Sequence, residues 1–168
     1  MAKTTPLTPV MAAEGAEFTV VNGWERVELI KPTPDFKVTH SYRFDESFDL
    51  VKGEVEAVQN AVGLCEVNGF NRYEITGADA QSFLDRMICG RLPMKAGKVG
   101  LAYLLNEHGM LKAEATIANL PDGRIWYGSA AAAEFHDMDW LELNIGSGED
   151  VQITSLTNTH TILVLAGP

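Results

Sequence analysis

Leu105-Asn106-Glu107-His108-Gly109-Met110-Leu111-Lys112-Ala113-Glu114-Ala115-Thr116-Ile117-Ala118 is the stretch that decides the fold. Asn106 to Gly109 has the composition of a tight turn. After it, Leu111, Ala113, Ala115 and Ile117 alternate with Lys112, Glu114, Thr116 and Ala118, the two-residue period of a strand. Before it, Val99, Leu101, Tyr103 and Leu105 alternate with Gly100, Ala102 and Leu104. Both sets of that leading strand are largely apolar, which predicts burial on both faces. Two strands joined by a tight turn pair antiparallel. The returning strand carries one carboxylate, Glu114.

Working outward, Thr76-Gly77-Ala78-Asp79 has the form of a helix start, its hydroxyl and carboxylate suited to free N–H groups. Ala80, Phe83, Leu84, Met87 and Ile88 follow at i, i+3, i+4, i+7 and i+8, and Gly90 and Pro93 mark the exit. Leu64 to Thr76 reads as extended chain broken at Asn68-Gly69, with Tyr73 and Ile75 alternating against Arg72 and Glu74. Further upstream, Val51, Val55, Val58 and Val62 form a helical stripe that Gly63 is expected to end. Downstream, Pro121-Asp122-Gly123 is a turn before a short strand from Arg124 to Gly128. A helix is expected over 130–143, with Ala131, Phe135, Met138 and Leu141 on one side. Strands over 151–156 and 161–166 follow, the latter buried.

The resulting class is α+β, a mainly antiparallel sheet with flanking helices. Residues 1–44 hold Pro6, Pro9, Pro32 and Pro34 without periodicity and are expected to be an irregular arm lying on another domain or subunit. Residues 45–168 are expected to form the domain itself.

Composition bounds the chemistry. Among 168 residues, 23 are acidic and 13 are Lys or Arg, for a net charge of -10 that disfavours phosphate backbones and so nucleic acid. Ile162 to Ala166, the longest late apolar run, is far short of the roughly 20 residues that cross a bilayer. No secretory signal opens the chain, and a soluble, cytoplasmic protein without membrane partners is expected. Cys65 and Cys89 lack CxxC spacing and are expected to be reduced, buried thiols. His40, His108, His136 and His160 have no metal-ligand spacing, so no metal is expected, and His136 is expected to pack or cap. Gly146-Ser147-Gly148 lacks the rest of a nucleotide loop, and Ser129 lies outside a GxSxG elbow. Glu114 remains. A strand Glu between Lys112 and Thr116 is ordinarily a solvated surface group. The alternative is a carboxylate on a rigid strand facing a pocket, able to hold a cationic amine or accept a proton. Alternation alone does not choose between them.

A set of ordered blocks carries a resemblance. Gly23-Trp24-Glu25-Arg26, Ala61 to Gly77, Phe83-Leu84-Asp85-Arg86, Leu92-Pro93, Gly97-Lys98-Val99, Leu105 to Gly109, Gly128-Ser129-Ala130, His136 with Trp140, and Ala166-Gly167-Pro168 occur in one order over nearly the whole chain. Together they resemble the folate half of dimethylglycine and sarcosine dehydrogenases, within the folate-binding aminomethyltransferase family that includes the glycine cleavage T protein. The resemblance implies the N-terminal part of that α+β fold, with tetrahydrofolate as cofactor in a central cavity. It implies one-carbon transfer from an N-methylated amine such as dimethylglycine or sarcosine. Glu114 stands where the family has an Asp in a motif resembling Gly-Gly-x-x-x-Asp-x-Thr, and so becomes the catalytic candidate and part of the folate site. Glu keeps the charge but reaches one methylene further. Leu101 falls near the Tyr-Thr pair of many relatives, and Phe70 at a pocket-lining position. Phe70 also fits simple core packing.

Family members continue beyond Ala-Gly-Pro, and this chain has no flavin domain. The expectation is a fragment, or one subunit completed by a partner or a further C-terminal domain. The competing expectation is a non-catalytic folate-binding or assembly subunit that keeps the fold without the activity.

Overall fold

The computed structural model describes residues 2–39 and 41–168; His40 lies outside the described residues. In chain order the elements are α1 (Thr8–Ala13), β1 (Ala16–Val21), β2 (Trp24–Ile30), α2 (Ser47–Asn60), β3 (Gly63–Glu66), β4 (Tyr73–Thr76) and α3 (Ala80–Met87). Then come β5 (Ile88–Cys89), β6 (Val99–Leu105), β7 (Leu111–Asn119), β8 (Ile125–Gly128) and a 3-10 turn at Ala131–Ala133. The chain finishes with α4 (Glu134–Leu143), β9 (Gln152–Ser155) and β10 (Leu163–Ala166). All strand ladders are antiparallel, so the fold is mixed helix and antiparallel sheet, as its patterning requires. The chain divides into two compact units: residues 69–160, and residues up to 68 together with 161–168. Among the described residues no helix is long and apolar enough to cross a membrane.

The unit of residues 69–160 holds a six-stranded sheet in the order β5-β6-β7-β8-β4-β9. Its centre is the β6–β7 hairpin. Asn106 makes the turn by accepting, through Oδ1, the N–H groups of His108 at 3.0 Å and Met110 at 2.9 Å. Gly109 takes the positive φ of 76° that the reversal needs. One face of the sheet contributes Tyr73, Ile75, Ala102, Leu104, Ala115, Ile117, Ile125 and Tyr127 to the core. Phe83 and Leu84 of α3 and Leu141 of α4 close over it, each fully buried. Burial of side chains of this size stabilises by roughly 1.5–3 kcal/mol each.

Within this unit, α3 and α4 pack on that face. Val99, Leu101 and Tyr103, on the opposite face of β6, are 64%, 58% and 39% exposed. The expectation that this strand is buried on both faces is therefore corrected: apolar residues occupy both sets of positions, but the core takes only Ala102 and Leu104.

Two helix expectations change in detail. α3 begins at Ala80, and neither Thr76 nor Asp79 caps it with a side chain. Asp79 instead pairs with Asp150: Asp79 Oδ2 accepts the Asp150 N–H at 2.9 Å, and Asp150 Oδ2 accepts that of Ala78 at 2.9 Å. Gly77 permits this close approach, since a Cβ there would sit 2.0 Å from the Asp150 carbonyl oxygen. On α4, Phe135 is 76% exposed and not on the core side. Glu134, Asp137 and Leu141 are buried instead: the Ser129 hydroxyl donates to the Asp137 carboxylate, and the Tyr73 hydroxyl to the main-chain carbonyl of Glu134.

The other unit corrects the reading of residues 1–44 as irregular. Thr8–Ala13 gives a short helix with Pro9 in its first turn, and Ala16–Val21 with Trp24–Ile30 gives the β1–β2 hairpin. Its turn is Asn22-Gly23, both at positive φ (52° and 80°), the pairing that two-residue hairpins favour. Trp24 is buried at its exit. The described residues from 31 to 44 form neither helix nor strand.

α2 forms where the valine stripe predicts but stops at Asn60, not at Gly63, and buries nothing: Val51, Val55 and Val58 are 48%, 47% and 37% exposed. Gly63 opens β3, where a Cβ would lie 2.3 Å from Val58 Cγ2. β3 pairs with β10 alone. The expected buried strand at 161–166 is instead exposed, Leu163 at 47% and Leu165 at 72%, because among the described residues nothing packs over this two-stranded ribbon. Cys65 and Cys89 are free thiols but exposed, which corrects the expectation of burial. Cys65 lies on that same ribbon, and Cys89 on the uncovered face of the large sheet.

Candidate functional site

The uncovered face of the six-stranded sheet carries the residues singled out from the sequence. Alternation sets Glu114 on it, between the core residues Ala113 and Ala115. The register pairs Tyr103 with Glu114 and Cys89 with Tyr103, so these three form one row across β5, β6 and β7. Leu101 faces Thr116 in the next row, diagonal to Glu114. Thr116 in turn faces Gly128 of β8. The β7–β8 ladder ends at Thr116 and Gly128, two residues short of Glu114 and Ala130, and an isolated bridge pairs Ala130 with Phe70. Phe70 is 42% exposed. The structure thus collects Phe70, Leu101 and Glu114 on one face of a rigid sheet, and Phe70 is not a core residue.

Glu114 is exposed and forms no ion pair among the described residues. The cation nearest in sequence, Lys112, is engaged elsewhere: its Nζ stands 4.6 Å from the centre of the Trp140 ring. The Glu114 carboxylate does act on Tyr103. It holds the phenol above its ordinary pKa, first through hydrogen bonding with the hydroxyl and then through its charge. A proton donor and an acceptor therefore stand side by side, flanked by the apolar surfaces of Leu101 and Phe70.

Sequence reasoning missed Tyr103, Trp126 and Glu74. Tyr103 had a signal, lying two residues from Leu101 on the same strand, but was assigned to a face expected to be buried. Trp126 lies further along the face, opposite Ala118 and Glu74. Its Nε1 donates to Glu74 Oε2 at 3.1 Å, and Arg124 holds the same oxygen at 2.6 Å. The edge of His160 meets the Trp126 ring, with centroids 5.9 Å apart. Glu74 is thus engaged by Trp126 and Arg124, whereas Glu114 forms no ion pair among the described residues.

His136, expected to pack or cap, pairs through Nδ1 with Asp137 Oδ1 at 2.9 Å while its ring is half exposed. Among the described residues no cluster of three metal-ligating side chains occurs. In the other unit a cleft of about 300 Å³ is lined by Glu17, Leu29, Lys31 and Phe36, and contains none of the residues above.

The GCVT N-terminal domain matches residues 7–168. The chain is 29% identical over 148 residues to the mitochondrial dimethylglycine dehydrogenase of Mus musculus, covering 87% of this chain and 17% of that protein. It is 25% identical over 169 residues to the aminomethyltransferase of Anoxybacillus flavithermus, covering 100% of this chain and 41% of that one. Its fold matches the crystal structure of glycine cleavage system aminomethyltransferase T from Bartonella henselae, with a TM-score of 0.76 and 21% identity, over all of this chain and 41% of that one. The chain thus spans less than half the length of each of these relatives.

Proposed function

The chain belongs to the GCVT N-terminal domain family, and from that premise we propose that its uncovered sheet face contributes to tetrahydrofolate-dependent one-carbon transfer. The amine donor is an N-methylated one such as dimethylglycine or sarcosine, and the full site is completed by a further domain or a partner subunit. One observation carries the reading: Glu114 is a carboxylate fixed on a strand, without an ion pair among the described residues, with a phenol beside it and exposed apolar side chains on the same face.

That donor set suits a reduced pterin and an amine. Flat rings find Leu101 and Phe70 as apolar surfaces, and polar edges find Glu114 as acceptor and Tyr103 as donor. Tetrahydrofolate supplies the nitrogen that takes up the one-carbon unit. The chain's own groups bind and orient: Glu114 holds a cationic amine or an N–H by charge-assisted hydrogen bonding, and Tyr103 stays protonated beside it. A carboxylate in this position also takes up a proton as charge on the amine is lost.

In the complete assembly, Glu114→Gln is expected to abolish transfer while leaving the fold intact, as read by single-turnover transfer of a labelled methyl carbon. Unchanged turnover removes Glu114 from the mechanism. A second reading, a folate-binding or assembly subunit without its own catalysis, draws support from the exposed β3–β10 ribbon with Leu64, Leu163 and Leu165 at its surface. It predicts tetrahydrofolate binding with no transfer in any assembly containing the chain.

A further inference from the structure

Phe70 sits at the open end of a ladder. The regular β4–β8 pairing reaches only from Ile75 to Tyr73, and at Arg72 the backbone turns its bonds to the other neighbour: the Leu156 N–H donates to the Arg72 carbonyl at 2.7 Å, and the Arg72 N–H to Thr157 Oγ1 at 3.0 Å. Beyond that point residues 69–71 are held to 129–131 by a buried polar clamp. The Asn71 N–H donates to the Ser129 carbonyl at 2.8 Å and the Ala131 N–H to the Gly69 carbonyl at 3.0 Å. The Asn71 side chain closes both ends of Ser129: Oδ1 accepts the Ser129 N–H at 2.8 Å, and Nδ2 donates to Ser129 Oγ at 2.7 Å. The Ser129 hydroxyl donates in turn to the Asp137 carboxylate on α4. Asn71, Ser129 and Asp137 are each at most 2% exposed.

Three buried polar side chains cost stability unless their partners are complete, and apolar residues would fill the same space more cheaply. What the polar set adds is geometry. Asn71 can meet both the N–H and the Oγ of Ser129 in one register only, and that register brings Phe70 against Ala130, at the end of the β4–β8 pairing.

We propose that Asn71, Ser129 and Asp137 are positioning residues that set Phe70 on the ligand-binding face; this role rests on the folate reading above. Ser129→Ala removes the hydroxyl that serves both Asn71 and Asp137, and keeps the backbone bonds. It is expected to speed amide exchange at Asn71 and Ala131 while leaving the core amides of Ile75 and Ile117 unchanged. It is also expected to weaken tetrahydrofolate binding in the complete assembly by at least about fivefold, and to have no such effect in a Phe70→Ala background. Ser129→Thr, which keeps the hydroxyl, restores affinity. Unchanged local exchange, or the same loss of affinity in both backgrounds, overturns the clamp's role and leaves the folate reading standing. Absence of tetrahydrofolate binding by the wild-type assembly overturns both.

Discussion

At the scale of single residues, a strand carboxylate gains chemical meaning from its neighbours. Glu114 has a phenol across the strand pair and no cation in ion-pair range among the described residues. Their coupling is open to direct measurement. Glu114→Gln removes the charge that holds the Tyr103 phenol high, so Tyr103 is expected to ionise at lower pH in the variant, followed by the ring-carbon NMR shift. An identical titration contradicts the pairing. Tyr73 and Tyr127 give a second pH effect. Burial, followed by the Asp137 charge, raises both phenols well above their ordinary pKa of 10. A folded pKa above the unfolded one means that the contribution to stability is complete below about pH 10 and is lost as pH rises past it. Stability is therefore expected to fall above about pH 10, and Tyr127→Phe to blunt that fall in denaturant titrations.

At the scale of elements, sheet and helices answer to different partners. Phe83 of α3 is fully buried under the sheet, and Phe83→Ala is expected to destabilise by about 3–5 kcal/mol in urea unfolding. Val55 of α2 is 47% exposed, and Val55→Ala is expected to stay within about 0.5 kcal/mol. Periodicity announced both helices, because it reports which side chains share a face. It does not report whether anything covers that face, and so the β6 residues Val99, Leu101 and Tyr103 read as buried. The same limit hid Tyr103 from the candidate site. Glu114, Leu101 and Phe70 were found through family resemblance, whereas their gathering on one face follows from register, which depends on which strands become neighbours. The β1–β2 hairpin is signalled by Asn22-Gly23, whereas the flanking Pro6, Pro9, Pro32 and Pro34 carry the composition of irregular chain.

At the scale of the whole molecule, two units fold with unequal cores. The unit of residues 69–160 has a closed core on one sheet face. The other exposes Leu64, Leu163, Leu165 and the α2 valines. Replacing Leu163 and Leu165 by Lys is expected to raise the soluble fraction of the chain expressed alone without lowering its melting temperature, and to impair assembly with whatever completes the site. A fall in melting temperature would mean that these leucines already pack within the unit.

The most direct test of the central claim is a calorimetric titration of tetrahydrofolate into the completed assembly, wild type against Glu114→Gln. A charge-assisted hydrogen bond of about 1.5–3 kcal/mol predicts saturable binding that weakens about 10- to 100-fold in the variant. Equal affinities for the two proteins would contradict Glu114 as the carboxylate of a folate site.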